Sequence, residues 1–198
     1  MVTTKQSRPR GRPRRFDPEE ALATAQQLFH AKGYDALSVV DITTALGINP
    51  PSFYAAYGSK AGLYARILDH YAETGAIPLQ RILRPDRPSA ESLAELLVEA
   101  AKAYAGNPAT SGCLVLEGTR SNDPDARAAA CVFHVAAQEA IRDFIAKRNP
   151  RDADRLADFV STTMAGMSAS ARHGQSLDRL LATARIAATA LAHCIPPE

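Results

Sequence analysis

"ITTALGINPPSFYAAYGSKAGLY", Ile42 to Tyr64, places a glycine turn and two helix starts within one short stretch. Gly47 stands between the apolar Leu46 and Ile48, where glycine permits a tight left-handed turn. Asn49 and Pro50 read as the cap and first position of a short helix, with Phe53 and Tyr57 on its buried side. Ser59 caps a further helix carrying Leu63, Tyr64, Ile67 and Leu68. Just upstream, Ser38 and Asp41 form a capping box, and Val39, Ile42 and Leu46 make the apolar face of a short helix. Two short helices joined by a glycine turn, behind a longer helix, make a helix-turn-helix unit.

The longer helix lies in "FDPEEALATAQQLFHAKGY", which starts at Phe16. Asp17 caps it, Pro18 fits its first turn, Leu22, Ala25, Leu28 and Phe29 share a face, and Gly33 ends it. The proline-rich stretch 75–90, "GAIPLQRILRPDRPSA", reads as a connector. Beyond it the helices lengthen. Residues 89–105 turn Leu93, Leu96, Leu97, Ala100 and Tyr104 inward; "CLVLEGTRS" is a short apolar helix; Asp123 and Pro124 open a helix to about Lys147; two more cover 152–172 and Ser176 to about His193. Strand-like runs are scarce and apolar residues make up 46% of the chain, so the expected class is all-α. The expected organisation is a basic arm (1–15), a helix-turn-helix domain (16–74) and a regulatory and dimerisation domain (75–198).

The net charge of +2 hides an asymmetry. Lys5, Arg8, Arg10, Arg12, Arg14 and Arg15 put six cations and no acid in residues 1–15, leaving 17 basic against 21 acidic residues elsewhere. A basic arm ahead of a mildly acidic body suits nucleic acid or another anionic surface. Three cysteines without paired spacing argue for a reducing compartment, and no apolar run reaches bilayer-spanning length, so a cytoplasmic protein is expected. No phosphate loop, HExxH or Cys-x-x-Cys is present, and Cys131 with His134 falls short of a zinc ligand set, so no enzyme, cofactor or metal is expected.

Gly33 to Leu68 resembles the N-terminal domain of the TetR family of transcriptional regulators. Ile42, Gly47, Phe53-Tyr54, Tyr57, Ser59-Lys60 and Leu63-Tyr64 carry the match, with Thr43 where Ala is commoner and Phe53 for the usual Leu. The resemblance implies a homodimer on double-stranded DNA, paired through the last two helices (about 152–193), with a small-molecule effector bound inside the regulatory domain. Stripes at Leu156, Phe159, Val160, Met164 and Met167, and at Leu177, Leu180, Leu181, Ala184, Ala188 and Leu191, serve either that pairing or the chain's own core. Ala182, Ala187 and Ala190 would allow close approach of helices.

The second helix of such a unit enters the major groove with its N-terminal end toward the bases. The expected DNA contacts are therefore Pro50, Pro51, Ser52 and Ala55 near the bases, Tyr54 and Lys60 at phosphates, the cap Asn49, and Ser38, Thr43 and Thr44 on the preceding helix. That helix has no Arg, Asn or Gln in its body, so part of the discrimination must come from shape, water or residues elsewhere. The arm's "RGRPR" (Arg10 to Arg14) resembles an AT-hook, which makes Arg10, Arg12 and Arg14 minor-groove candidates; the other reading is a solvated tail adding nonspecific attraction.

Candidate effector-pocket residues are Tyr104, Cys113, Leu116, Glu117, Phe133, His134, Met164, Met167 and Arg172. Cys113 follows Gly112 at the start of a short helix, a position that lowers a thiol pKa and suggests an electrophile- or oxidant-sensing thiol. Two rival functions stay open: an architectural DNA binder without effector response, and a small-molecule-binding or catalytic helical domain with an incidental helix-turn-helix.

Overall fold

The computed structural model describes residues 18–195. The arm, including Arg10, Arg12 and Arg14, and the expected cap Asp17 lie outside the described residues. The described chain is helical with no strand. Helices α1 (Pro18–Lys32), α2 (Val39–Leu46), α3 (Pro50–Tyr57) and α4 (Lys60–Thr74) form the N-terminal unit. The rest comprises α5 (Leu79–Ile82), α6 (Ser89–Ala105), a 3₁₀ turn (Pro108–Thr110), α7 (Leu114–Gly118), α8 (Pro124–Ala146), α9 (Ala153–Arg172) and α10 (Leu177–Cys194).

Local chemistry sets the N-terminal boundaries. In the Ser38–Asp41 box, the Asp41 amide donates to Ser38 Oγ (3.1 Å) and the Ser38 amide donates to Asp41 Oδ2 (2.9 Å). Gly47 ends α2 at φ +65° and redirects the chain into α3. Asn49 Oδ1 accepts from the Ser52 amide (2.8 Å), and Ser59 Oγ accepts from that of Gly62 (2.9 Å). The connector is not plain coil. It holds the four-residue α5, whose Ile82 is buried, and Arg148 pins it by donating to the Pro85 and Arg87 carbonyls, both at 2.6 Å. A single turn between prolines carries too little periodicity to be seen in sequence.

There are two cores. One joins α6, α9 and α10 with the C-terminal part of α8, through Leu93, Leu97, Tyr104, Ile145, Val160, Leu180 and Leu191. The other is built on Phe29, Ile42, Phe53, Leu63, Tyr64 and Leu68 and extends past residue 74 to take in Leu114, Ala126 and Ala130. The helix-turn-helix is therefore seated on α7 and the start of α8. Tyr64 is the keystone: its ring lies 5.2 Å from Phe29 and 5.0 Å from Tyr34, and its hydroxyl donates to the Leu114 carbonyl (3.3 Å).

Gly118 is what lets Tyr64 fit. A Cβ there would lie 2.3 Å from the Tyr64 hydroxyl oxygen and 2.7 Å from Ala130 Cβ. Gly118→Ala is expected to destabilise the protein by about 1–3 kcal/mol through overpacking, measured by urea denaturation against wild type.

Candidate nucleic-acid interface and effector cavity

Phe53 and Tyr57 bury one side of α3, and Pro50, Pro51, Ser52, Tyr54, Ala55 and Ala56 are exposed on the rest. All the base-side candidates are thus on one accessible surface. Tyr54 is 51% exposed and its ring meets Phe53 edge-on at 5.3 Å. Asn49 is exposed, but its carbonyl oxygen is occupied by the cap, leaving its amide group to donate. Ser38 is exposed, and its hydroxyl donates to Asp41 (2.6 Å). Those bonds hold the Asp41 carboxyl below its ordinary range.

Two candidates are placed differently. Thr43 is 4% exposed and donates to the Val40 carbonyl (3.1 Å), so it does not face DNA. With Val39, Ile42 and Leu46 it completes an i, i+3, i+4, i+7 stripe, which is the inward face of a helix. Thr44, one position on, is exposed, as is Val40 at 67%. Val40 and Thr44 stand one turn apart on the outer face of α2; the signal for Val40 was its position just off the apolar stripe. Lys60 is turned toward the body: its ammonium lies 4.0 Å from the Tyr34 ring centroid, on the side of Asp35 and Asp123. To reach a phosphate it must leave that ring, so in this conformation it ties α4 to the α1–α2 turn.

A cavity of about 660 Å³ opens between α4, α5, α6, α7, α8 and α9. Tyr104, Cys113, Leu116, Phe133, His134 and Met164 line it, as expected, together with Tyr71 and Ala72 of α4. Glu117, Met167 and Arg172 do not. Met167 is 2% exposed in the C-terminal core. Glu117 and Arg172 pair with each other at 3.1 Å. Arg172 also donates to the backbone carbonyls of His30 (2.9 Å) and Ser111 (3.3 Å), locking α9 onto the end of α1. Cys113 also departs from the expectation of a reactive thiol. Burial pushes its thiol up, outweighing the amides of Leu116 and Val115, so it is not poised as a thiolate. Its sulfur accepts from the Tyr71 hydroxyl (3.8 Å).

The junction between the two units was invisible in sequence because its partners lie far apart in the chain. His30 Nε2 meets the Gly112 carbonyl at 3.2 Å, the Tyr34 hydroxyl donates to Asp123 (3.1 Å), and Asp35 accepts from the Ser121 hydroxyl (3.0 Å) and the Asn122 amide (2.9 Å). Burial is the largest influence on His30 and lowers its pKa from 6.5; the Gly112 carbonyl opposes this. Below that ordinary value the unfolded chain takes up the proton first. Stability is then full above about pH 6.5, falls as the pH drops toward the folded pKa, and levels off below it. The melting temperature should fall between about pH 7.5 and about pH 5.5, and His30→Gln should flatten that slope, as read by calorimetry.

Residues 21–67 match the model of the bacterial regulatory proteins, tetR family. The HTH-type transcriptional repressor BdcR of Escherichia coli is 55% identical over 191 residues, which span 96% of this chain and 97% of that protein. The chain belongs to the TetR family. ComR, an HTH-type transcriptional repressor of the same organism, is 32% identical over 92% of this chain and 90% of its own length. Among solved structures, a cysteine mutant of the TetR family regulator CifR bound to 26-base-pair operator DNA is similar with a TM-score of 0.82 and 31% identity, covering 90% of this chain and 99% of that one. The exposed α3 is the second helix of this family's helix-turn-helix unit. No helix among the described residues is long and apolar enough to cross a membrane. Nor does any group of three or more His, Cys, Asp or Glu among them form a metal-binding cluster.

Proposed function

We propose that this protein is a homodimeric repressor that grips a palindromic operator through α3 and is released by a small molecule in the α4–α9 cavity. The observation that carries this reading is the double role of α4. Its Leu63, Tyr64 and Leu68 belong to the core under α2 and α3, while its Tyr71 and Ala72 form cavity wall. An occupant pressing on Tyr71 therefore acts on the helix that seats the reading head. Release requires the effector to bind the DNA-incompetent arrangement more tightly than the competent one.

Two copies are needed because one short helix gives little affinity, and paired reading helices about 34–36 Å apart would match successive turns of one DNA face. The last two helices offer a surface for pairing, while much of the two apolar stripes serves the chain's own core. Leu156, Val160, Leu180, Ala184, Ala187 and Leu191 are buried in the chain's own core. Next to them lies an exposed face of small and apolar residues: Phe159 (40% exposed) and Gly166 on α9, and Ala182, Ile186 (73% exposed) and Ala190 on α10.

Footprinting across the DNA upstream of the protein's own gene tests the reading. A protected palindrome, with protection lost on adding a metabolite extract, is the expected result. Protection without symmetry or release would instead favour an architectural DNA binder, a reading supported by the absence of Arg, Asn and Gln from the body of α3.

A further inference from the structure

The cavity carries its own statement about chemistry. Its wall includes no Asp or Glu, and its one charged residue, Arg81 of α5, is exposed. Gln80, His134 and Gln138 also line it, and most of the remaining wall is apolar: Ile77, Leu79, Val115, Leu116, Phe133 and Met164. Two of its lining residues carry hydroxyls with no hydrogen-bond partner among the described residues. Ser161 of α9 is 9% exposed and its buried Oγ has no hydrogen bond. Tyr104 of α6 is 2% exposed, and its hydroxyl makes no hydrogen bond among the described residues. Buried hydroxyls are normally satisfied, because leaving one unpaired in a protein interior is costly.

We propose that the cavity takes an uncharged, mainly apolar molecule bearing one hydrogen-bonding oxygen, a carbonyl or a hydroxyl, which pairs with Tyr104 and Ser161. The proposal rests on the effector reading above and narrows it to a ligand class. A pure hydrocarbon would leave both hydroxyls unsatisfied. A charged ligand would be desolvated beside two neutral hydroxyls with no buried counter-charge, a heavier cost. Arg81, on the solvent-exposed rim, is screened from such a charge by water and salt. A carbonyl oxygen has two lone pairs and so can accept from more than one donor. The cavity joins α4 to α9, so the same ligand touches the helix that carries the DNA-reading unit.

The test uses the full chain and three probes with one apolar body: 2-acetylnaphthalene, 2-naphthoate and 2-(aminomethyl)naphthalene, titrated by calorimetry. The ketone should bind at least about tenfold more tightly than either charged analogue, given the cost of burying an unpaired charge. Tyr104→Phe and Ser161→Ala should each weaken ketone binding by about threefold to tenfold, the worth of one hydrogen bond. Ser161→Ala should also melt at or above wild type, since it removes an unpaired group, and this shows the fold intact. Equal or tighter binding of a charged analogue, no binding of any probe, or ketone binding indifferent to both hydroxyl deletions overturns the ligand class. Operator binding, followed by fluorescence anisotropy on the same samples, separates the two readings. A bound ketone that leaves the operator bound retains the class and defeats effector release. Release by the carboxylate alone retains effector release and defeats the class.

Discussion

Ile186→Glu is expected to leave a folded monomer whose operator affinity is lower by about 100-fold or more, the scale on which joining two binding modules raises avidity. Ile186 is 73% exposed in the isolated chain, so the substitution disturbs no packing within it. Its helical neighbours Ala182 and Ala190 are small and exposed, which lets a second helix approach closely at this position. In the proposed pair, two glutamates would meet near the symmetry axis and lose their water without a counter-charge. Sedimentation velocity reads the oligomeric state and anisotropy reads the operator affinity. Val132→Glu is the control: Val132 is also exposed (67%) but lies on α8, not on either helix of the proposed face, and should stay dimeric. An Ile186→Glu protein that remains a dimer would remove α10 from the interface.

Deleting residues 1–14 is the second large change. It removes Lys5, Arg8, Arg10, Arg12 and Arg14, and a dimer loses two such arms. If three arginines of each arm neutralise phosphates along the groove, the slope of log affinity against log salt should become shallower by up to about five, near 0.9 for each phosphate no longer neutralised. Affinity at low salt should fall accordingly. A tail that only adds nonspecific attraction would lower specific and random-sequence binding alike. An arm that reads a narrow minor groove would lower binding most on operators with A·T flanks, and replacing those flanks with G·C should cost the full chain more than the truncated one. Unchanged binding rules the arm out.

Much of the DNA-reading unit was legible because its signals are local. The Ser38–Asp41 box, the left-handed Gly47, the Asn49 and Ser59 caps and the inward Phe53, Tyr57 and Leu63 each involve residues a few positions apart, and each stands in the structure. The same logic misplaced Thr43. A threonine is neutral to the pattern, and its position four residues after Val39, rather than its polarity, decided its burial. The pocket was half legible: a cysteine, an aromatic and a methionine suggest a wall, but nothing in Glu117 or Arg172 announces that they pair with each other 55 positions apart instead.

Helix boundaries, the helix-turn-helix and the charge split between arm and body follow from the sequence alone, because capping, turn geometry and periodicity act within a few residues. Tertiary structure decided where α4 ends its service to the DNA unit and begins it to the cavity. It decided that Arg172 holds His30 of α1, and that Leu180 and Leu191 turn inward while Ile186 faces out. Those outcomes depend on which helix lies against which, and an amphipathic stripe states that a face must be covered without naming what covers it.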